Sequence, residues 1–195
     1  MWKSTVFTVL TTLLLAGCGA SSRARNDLAT LPVHPDLQCP PGTLGAGTPP
    51  PKGTEVWCEM RLATGALVRE GPSIQWHPNG RKRAEGSYVA DQRHGPWLFW
   101  YPTGNPEAQG SYTSGVKEGA WTTYDASGSR TSEGLFIGGQ EHGMWTFWDD
   151  AGARRTEGEF VLGARTGRWL DHGPDGIAVR ERIYREGRLV SQREL

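Results

Sequence analysis

The chain has 195 residues, among them 27 glycines and 9 tryptophans, and only 36% of it is hydrophobic. That is too few aliphatics for an ordinary layered core and too many aromatics for a disordered chain. The 21 basic and 21 acidic residues cancel and are spread evenly, so no concentrated charge points to nucleic acid or to an anionic lipid surface.

The amino terminus reads as an address. Lys3 precedes an apolar run from Val6 to Ala16, and the run closes on Leu15-Ala16-Gly17-Cys18. An early positive charge, a short apolar run and small residues before a cut describe a secretory signal over residues 1–17. The run is too short to span a bilayer as a helix. Its Leu-Ala-Gly-Cys end resembles the bacterial lipoprotein signal; the alternative is a plain secretory signal with a coincidental cysteine. The resemblance implies that Cys18 carries a thioether-linked diacylglycerol and an N-linked acyl chain of the palmitate kind, and opens the mature protein. No other cofactor is expected. Several acyl chains anchor stably where a single one does not. Gly19 follows the cysteine where an aspartate often marks inner-membrane retention, which favours the outer membrane, at its periplasmic face or surface.

Residues 18–38 lack a clear period and read as the lipidated cysteine and a flexible tether. Residues 39–70 hold the other two cysteines, Cys39 and Cys58. Two remaining thiols in an oxidising compartment are a disulfide candidate. A zinc site would need more ligands than two cysteines with no histidine pair nearby. The expected staple fixes a cap over the first edge of a repeat array that begins at residue 71, where unpaired strand edges invite aggregation.

From residue 71 to 190 the chain repeats every 24 residues without a gap, opening on Gly71, Gly95, Gly119, Gly143 and Gly167. The third position is Ser73, then Trp97, Trp121, Trp145 and Trp169. The sixth is Trp76, Trp100, Tyr124, Trp148 and His172, and the tenth is always glycine. The sixteenth is Gly86, Gly110, Gly134 and Gly158, then Arg182. The eighteenth is Tyr88, Tyr112, Phe136, Phe160 and Tyr184. Each unit reads as a β-hairpin: a short strand such as Trp97–Tyr101, a turn such as His77-Pro-Asn-Gly80, and a return strand from about Glu107 to Thr113. A second glycine turn, Gly115-Val-Lys-Glu-Gly119, passes to the next hairpin. A lone hairpin cannot bury its aromatic face, but stacked neighbours can. The expectation is all-β: an open, single-sheet solenoid of five hairpins with a disulfide-stapled amino-terminal cap. Ser73, His172 and Arg182 are the deviations that end units show, and residues 191–195 form a tail.

The Gly-x-Trp-x-x-aromatic pattern with its x-Asn-Gly or x-x-Gly turn resembles the MORN (membrane occupation and recognition nexus) family over residues 71–190. It is most similar to the bacterial variant labelled the YwqK-type antitoxin family. The resemblance implies that the Gly, Trp and Tyr positions build the sheet. Tyr112-x-x-Gly115 replaces the Tyr-x-Gly of eukaryotic units, so their proposed lipid-binding role is not carried over.

Chemistry-bearing residues recur at the same period. His94, Glu118, His142 and Thr166 form one row, and Glu85, Gln109, Glu133, Glu157 and Glu181 another. Equivalent positions lie two strands or ~10 Å apart, too far for shared metal ligation or paired carboxylate catalysis. The first row reads as solvated turn residues, the second as an edge with cross-strand partners such as Arg130 or Arg155. No motif for a nucleophile, zinc protease or phosphate loop occurs, and an enzyme is not expected. Third- and sixth-position rings would alternate faces in a regular strand, leaving one row as core and the other as a binding groove. Alternatively, a bulge after the glycine turns both inward. The expected function is a lipid-anchored recognition scaffold for a protein partner, with no nucleic acid. The alternatives are an immunity-type lipoprotein that neutralises a toxin, and direct binding of lipid or glycan through exposed rings.

Overall fold

A computed structural model describes residues 34–195 of the chain. Cys18 and the signal segment lie outside the described residues. Those described form one open sheet of 13 antiparallel strands, each paired only with its sequence neighbours. The cap contributes β1 (Leu44–Thr48) and β2 (Glu55–Arg61). The five hairpins are β3 (Leu67–Trp76) with β4 (Lys82–Val89), β5 (Gln92–Trp100) with β6 (Pro106–Thr113), β7 (Val116–Tyr124) with β8 (Arg130–Ile137), β9 (Gln140–Trp148) with β10 (Arg154–Val161), and β11 (Ala164–His172) with β12 (Ala178–Arg185). A last strand, β13 (Arg188–Glu194), closes the array.

Turn chemistry sets these boundaries. Within a hairpin the tenth-position glycine takes a positive φ, 80° at Gly80 and 94° at Gly104. Its N–H donates to the residue three back, 2.9 Å to His77 O and 2.8 Å to Tyr101 O. At the third hairpin the Asp125 carboxylate accepts the N–H groups of Ser127, Gly128 and Ser129 at 2.8, 3.0 and 3.0 Å. The Ser127 hydroxyl and these amides hold that carboxyl below its usual range. Between hairpins the turn is tighter than expected. Ser114 and Gly115 alone form it, with φ of 49° and 80°, the left-handed pair that suits the twist of adjoining strands. Gly115 N donates back across the unit to Arg93 O at 2.8 Å, and Gly139, Gly163 and Gly187 repeat the bond at 3.0, 2.9 and 3.0 Å. The expected connection Gly115–Gly119 is therefore mostly strand, since β7 begins at Val116.

The unit-opening glycines have another use. Gln109 pairs with Thr122, and Ser111 pairs with Glu118. Gly110 alone thus faces three residues, Gly119, Ala120 and Trp121. Bulges bend strands, and two extra residues preserve the pleat's parity. Third- and sixth-position side chains consequently emerge on opposite faces, and the idea of both rows turning inward is corrected.

On one face, called the aromatic face here, the third-position rings are the core: Trp97, Trp121, Trp145 and Trp169 are 0, 2, 5 and 0% exposed. They alternate with the eighteenth-position rings, edge to face, from Tyr88–Trp97 at 5.2 Å through Tyr112–Trp121 at 5.1 Å and Phe136–Trp145 at 5.2 Å to Phe160–Trp169 at 5.0 Å. Edge-to-face contact suits the ring quadrupole and adds about 0.5–1.5 kcal/mol per pair beyond burial. Each indole N–H donates 3.1 Å to a backbone carbonyl ten residues earlier: Ser87, Ser111, Leu135 and Glu159. The polar atom buried with each ring is thereby satisfied.

The sixteenth-position glycine is the floor beneath each ring. A Cβ at Gly110 would lie 2.2 Å from the Trp121 indole, and Gly86, Gly134 and Gly158 meet the following Trp at 2.3, 2.2 and 2.2 Å. No tryptophan follows the fifth unit, which is why that position holds Arg182. Gly110→Ala is expected to cost about 1–3 kcal/mol through overpacking, read as a lowered urea midpoint. An unchanged midpoint would remove the steric reason for the glycine.

The ends differ from expectation. Leu37 lay in the expected tether, yet it is 1% exposed and packs with Val56, Cys58, Ile74 and Trp76. The stapled cap holds a strand of its own, β1, and most of the expected tail is β13. The staple is present: Cys39 and Cys58 are bonded, with Cα atoms 5.4 Å apart.

Candidate binding faces

The aromatic face is lidded by its own cations. Position twenty-three supplies Arg93 over Trp97 at 4.6 Å, Lys117 over Trp121 at 4.2 Å and Arg165 over Trp169 at 4.3 Å. Arg69 does the same for Trp57 at 4.7 Å. These cation–π contacts cover the ring faces, and burial lowers the Lys117 ammonium pKa. The cation row was not recognised from the sequence, although it recurs with the period of the tryptophans except before Trp145, where Glu141 takes the place. Phe99 stacks between Trp97 and Trp121 at 5.8 and 6.3 Å, and Phe147 fills the same place between Trp145 and Trp169 at 5.9 and 6.2 Å.

Polar groups close this face at both ends. Where Ser73 replaces tryptophan, Glu55 accepts from Arg69 and Gln75, both at 2.8 Å. At the other end Asp171 accepts from Thr156 Oγ1 at 2.9 Å and from Arg182. Glu181, which pairs with Leu170 on the opposite face, accepts from Arg168 and from Arg193 Nε at 2.6 Å, bonds that hold its carboxyl below the usual range and tie β13 to the array.

The opposite face is open. It carries the sixth-position side chains, and each meets a different fate. Trp76 is 7% exposed beneath the chain's own amino-terminal segment, its ring 5.0 Å from that of His34. Trp148 lies under Arg130 at 4.2 Å, and His172 is buried beside Glu157 at 3.5 Å. Trp100 and Tyr124 stay half-exposed. Around them sit Pro96, Leu98 and Ala120, all exposed, on strands without a second layer. Farther along the same face Leu135 and Met144 are 45 and 59% exposed.

The two rows of chemistry-bearing residues are not brought together. Glu118 accepts the Gly138 N–H at 2.9 Å and so anchors a turn. Among the described residues no cluster of three His, Cys, Asp or Glu side chains could hold a metal. In the carboxylate row, Glu85 pairs with Lys82 at 2.9 Å and Glu157 with Arg154 at 3.1 Å, in both cases three residues away on the same strand. Arg130 pairs with Glu133 in the same way. For these three the expected cross-strand geometry is corrected, and Arg155 turns instead toward Asp149 at 3.7 Å, whereas Glu181 keeps cross-strand partners in Arg168 and Arg193. A strand places side chains three apart on opposite faces, but Thr131, the extra residue between Arg130 and Ser132 opposite Tyr124 and Thr123, shifts the pleat there.

Residues 93–113 match the sequence model of the family described as MORN repeat variant. That stretch is a MORN-like repeat. The matched stretch spans Arg93, Trp97, Trp100, Gly104, Gly110 and Tyr112, the cation, rings and glycines that build one unit. Among solved structures, a chain of the Glycosylation Associate Protein (Gap123) complex from Streptococcus agalactiae is similar at 16% identity, with a TM-score of 0.33. The match covers 57% of this chain and spans 20% of that one. No curated protein matches.

Proposed function

We propose that the MORN-like array is a recognition scaffold for a protein partner, held at the cell envelope by lipid on Cys18. The observation that carries the binding role is the asymmetry of the sheet. One face is filled by its own rings and lidded by its own cations, whereas the other keeps apolar and aromatic side chains around Trp100 and Tyr124 with no described residue layered over them. Uncovered apolar surface of this kind marks interaction sites, and stacked repeats offer a long surface to a partner. The anchor rests on the Leu15-Ala16-Gly17-Cys18 signal, and the outer membrane is its proposed location.

Crosslinking in native envelopes, followed by capture of the full chain and of Cys18→Ala, tests both parts. The expected result is one dominant protein partner, with labelled palmitate on the unmodified chain and none on Cys18→Ala. Palmitate persisting on Cys18→Ala would remove the anchor. Recovery of lipid or wall material with no protein would remove the scaffold role in favour of direct surface binding.

A further inference from the structure

We propose that the open face of the second unit binds a peptide turn from a protein partner, one carrying an aromatic ring and, three residues later, a leucine, with a carboxylate between them; the proposal rests on the scaffold function above.

The chain itself supplies the template. Residues His34-Pro35-Asp36-Leu37 form a turn closed by Leu37 N donating to His34 O at 2.9 Å. The turn brings the His34 ring and the Leu37 side chain to the same unit. His34 lies against the sixth-position ring Trp76 at 5.0 Å, while Leu37 enters the pocket of Val56, Cys58 and Ile74. Asp36 Oδ2 sits 4.0 Å from Lys82 Nζ. One seat of a periodic face is thus filled, and the chemistry that fills it is visible.

The next seat repeats three of the parts one period on, and no described residue fills it. Leu98 stands where Ile74 does, Trp100 where Trp76 does, and Pro96 where Pro72 does. A hollow of about 350 Å³ begins at Asp36 and runs past Lys82 to Pro96 and Leu98. It shares Lys82 with a hollow of about 370 Å³ at Arg81, Trp100 and Gly104. It shares Pro96 and Leu98 with another of about 300 Å³ reaching Ala120 and Thr122. The empty ground is continuous with the ground the chain's own turn already occupies.

Pro106 stands where Lys82 does, so the cation of this seat comes from a different position. Lys82 is engaged by Glu85 at 2.9 Å. Arg81 is exposed beside Trp100 and forms no ion pair among the described residues. A guanidinium beside an aromatic shelf selects a carboxylate next to an apolar group, because Arg binds carboxylate through a planar fork of donors. Later seats are less suited: Tyr124 has Thr122 in place of leucine, Trp148 is under Arg130, and His172 is buried.

The test uses a labelled peptide with the sequence of residues 31–38, Leu-Pro-Val-His-Pro-Asp-Leu-Gln, titrated into the purified full chain and followed by fluorescence anisotropy. Saturable binding is expected, weakened roughly tenfold or more by Trp100→Ala, as for a ring at the centre of a small interface. Arg81→Glu, on an exposed turn that carries no packing, should weaken it as well, and so should a peptide carrying Asp36→Lys. Trp148→Ala should leave it unchanged. No saturable binding, or binding indifferent to both Trp100→Ala and Arg81→Glu, would overturn the proposal. Envelope crosslinking separates the two readings. A partner captured equally by the unmodified chain and by Arg81→Glu would remove this seat and leave the scaffold function standing. Loss of capture in Arg81→Glu would support the seat.

Discussion

Replacing Trp121 with alanine is expected to destabilise the array by about 3–5 kcal/mol, the cost of emptying a large buried ring site. The ring is 2% exposed and touches Tyr112 at 5.1 Å, Phe136 at 6.0 Å and Phe99 at 6.3 Å. Its loss would also leave the Ser111 carbonyl without its indole donor and the Lys117 ammonium without the ring 4.2 Å beneath it. Because units contact only their neighbours, a central defect uncouples the array into halves, and the urea transition should broaden as well as shift. Trp100→Ala is the matched control, a half-exposed ring on the other face that should cost much less. If the two variants unfolded at the same denaturant concentration, the assignment of core to the aromatic face would fail.

Removing the staple, as Cys39→Ser with Cys58→Ser, is expected to cost roughly 3 kcal/mol in the chain-entropy account of a loop this long. The bonded residues are 19 apart. Between them lie β1 and the proline-rich turn, which have little core of their own. The loss should be local. Amide exchange would rise in β1 and β2 and in the second half of β3, where Leu37 rests on Cys58, Val56 and Ile74. Protection in β9 to β12 should persist, since a repeat array transmits stability only through adjacent interfaces. Uniform deprotection along all thirteen strands would show instead that the cap is a nucleus for the whole sheet.

Most of the architecture was legible because one residue type serves one geometric need at each place in the period. Glycine at the tenth position supplies positive φ, and aromatic residues at the third and eighteenth mesh edge to face. Less legible was the opening glycine. In sequence it looks like a turn, and Gly119 does have φ of 72°, but its conformation serves a bulge within β7. Sequence alone does not distinguish the two uses, since both need a left-handed residue. The same ambiguity hid the face assignment of the two ring rows, which depends on whether the bulge holds one extra residue or two. β1 and β13 were missed because each gains its strand character from a paired neighbour rather than from its own pattern: β13 is exposed along its whole length. Of the open face, the ring row was readable. Its amino-terminal lid was not, because a single leucine at position 37 has no period to announce it.

The meander of strands, each hydrogen-bonded to the one before, also governs how the chain comes to be folded. No strand waits for a partner from a distant part of the sequence, and the turns that join the paired strands are short. Such local closure costs little entropy and correlates with rapid folding. A chain emerging amino terminus first, as in synthesis, would therefore zip up rung by rung, each tryptophan settling on the glycine that had just preceded it. The long-lived, half-formed sheets with open edges that endanger other β proteins in transit would be reduced here to one advancing edge.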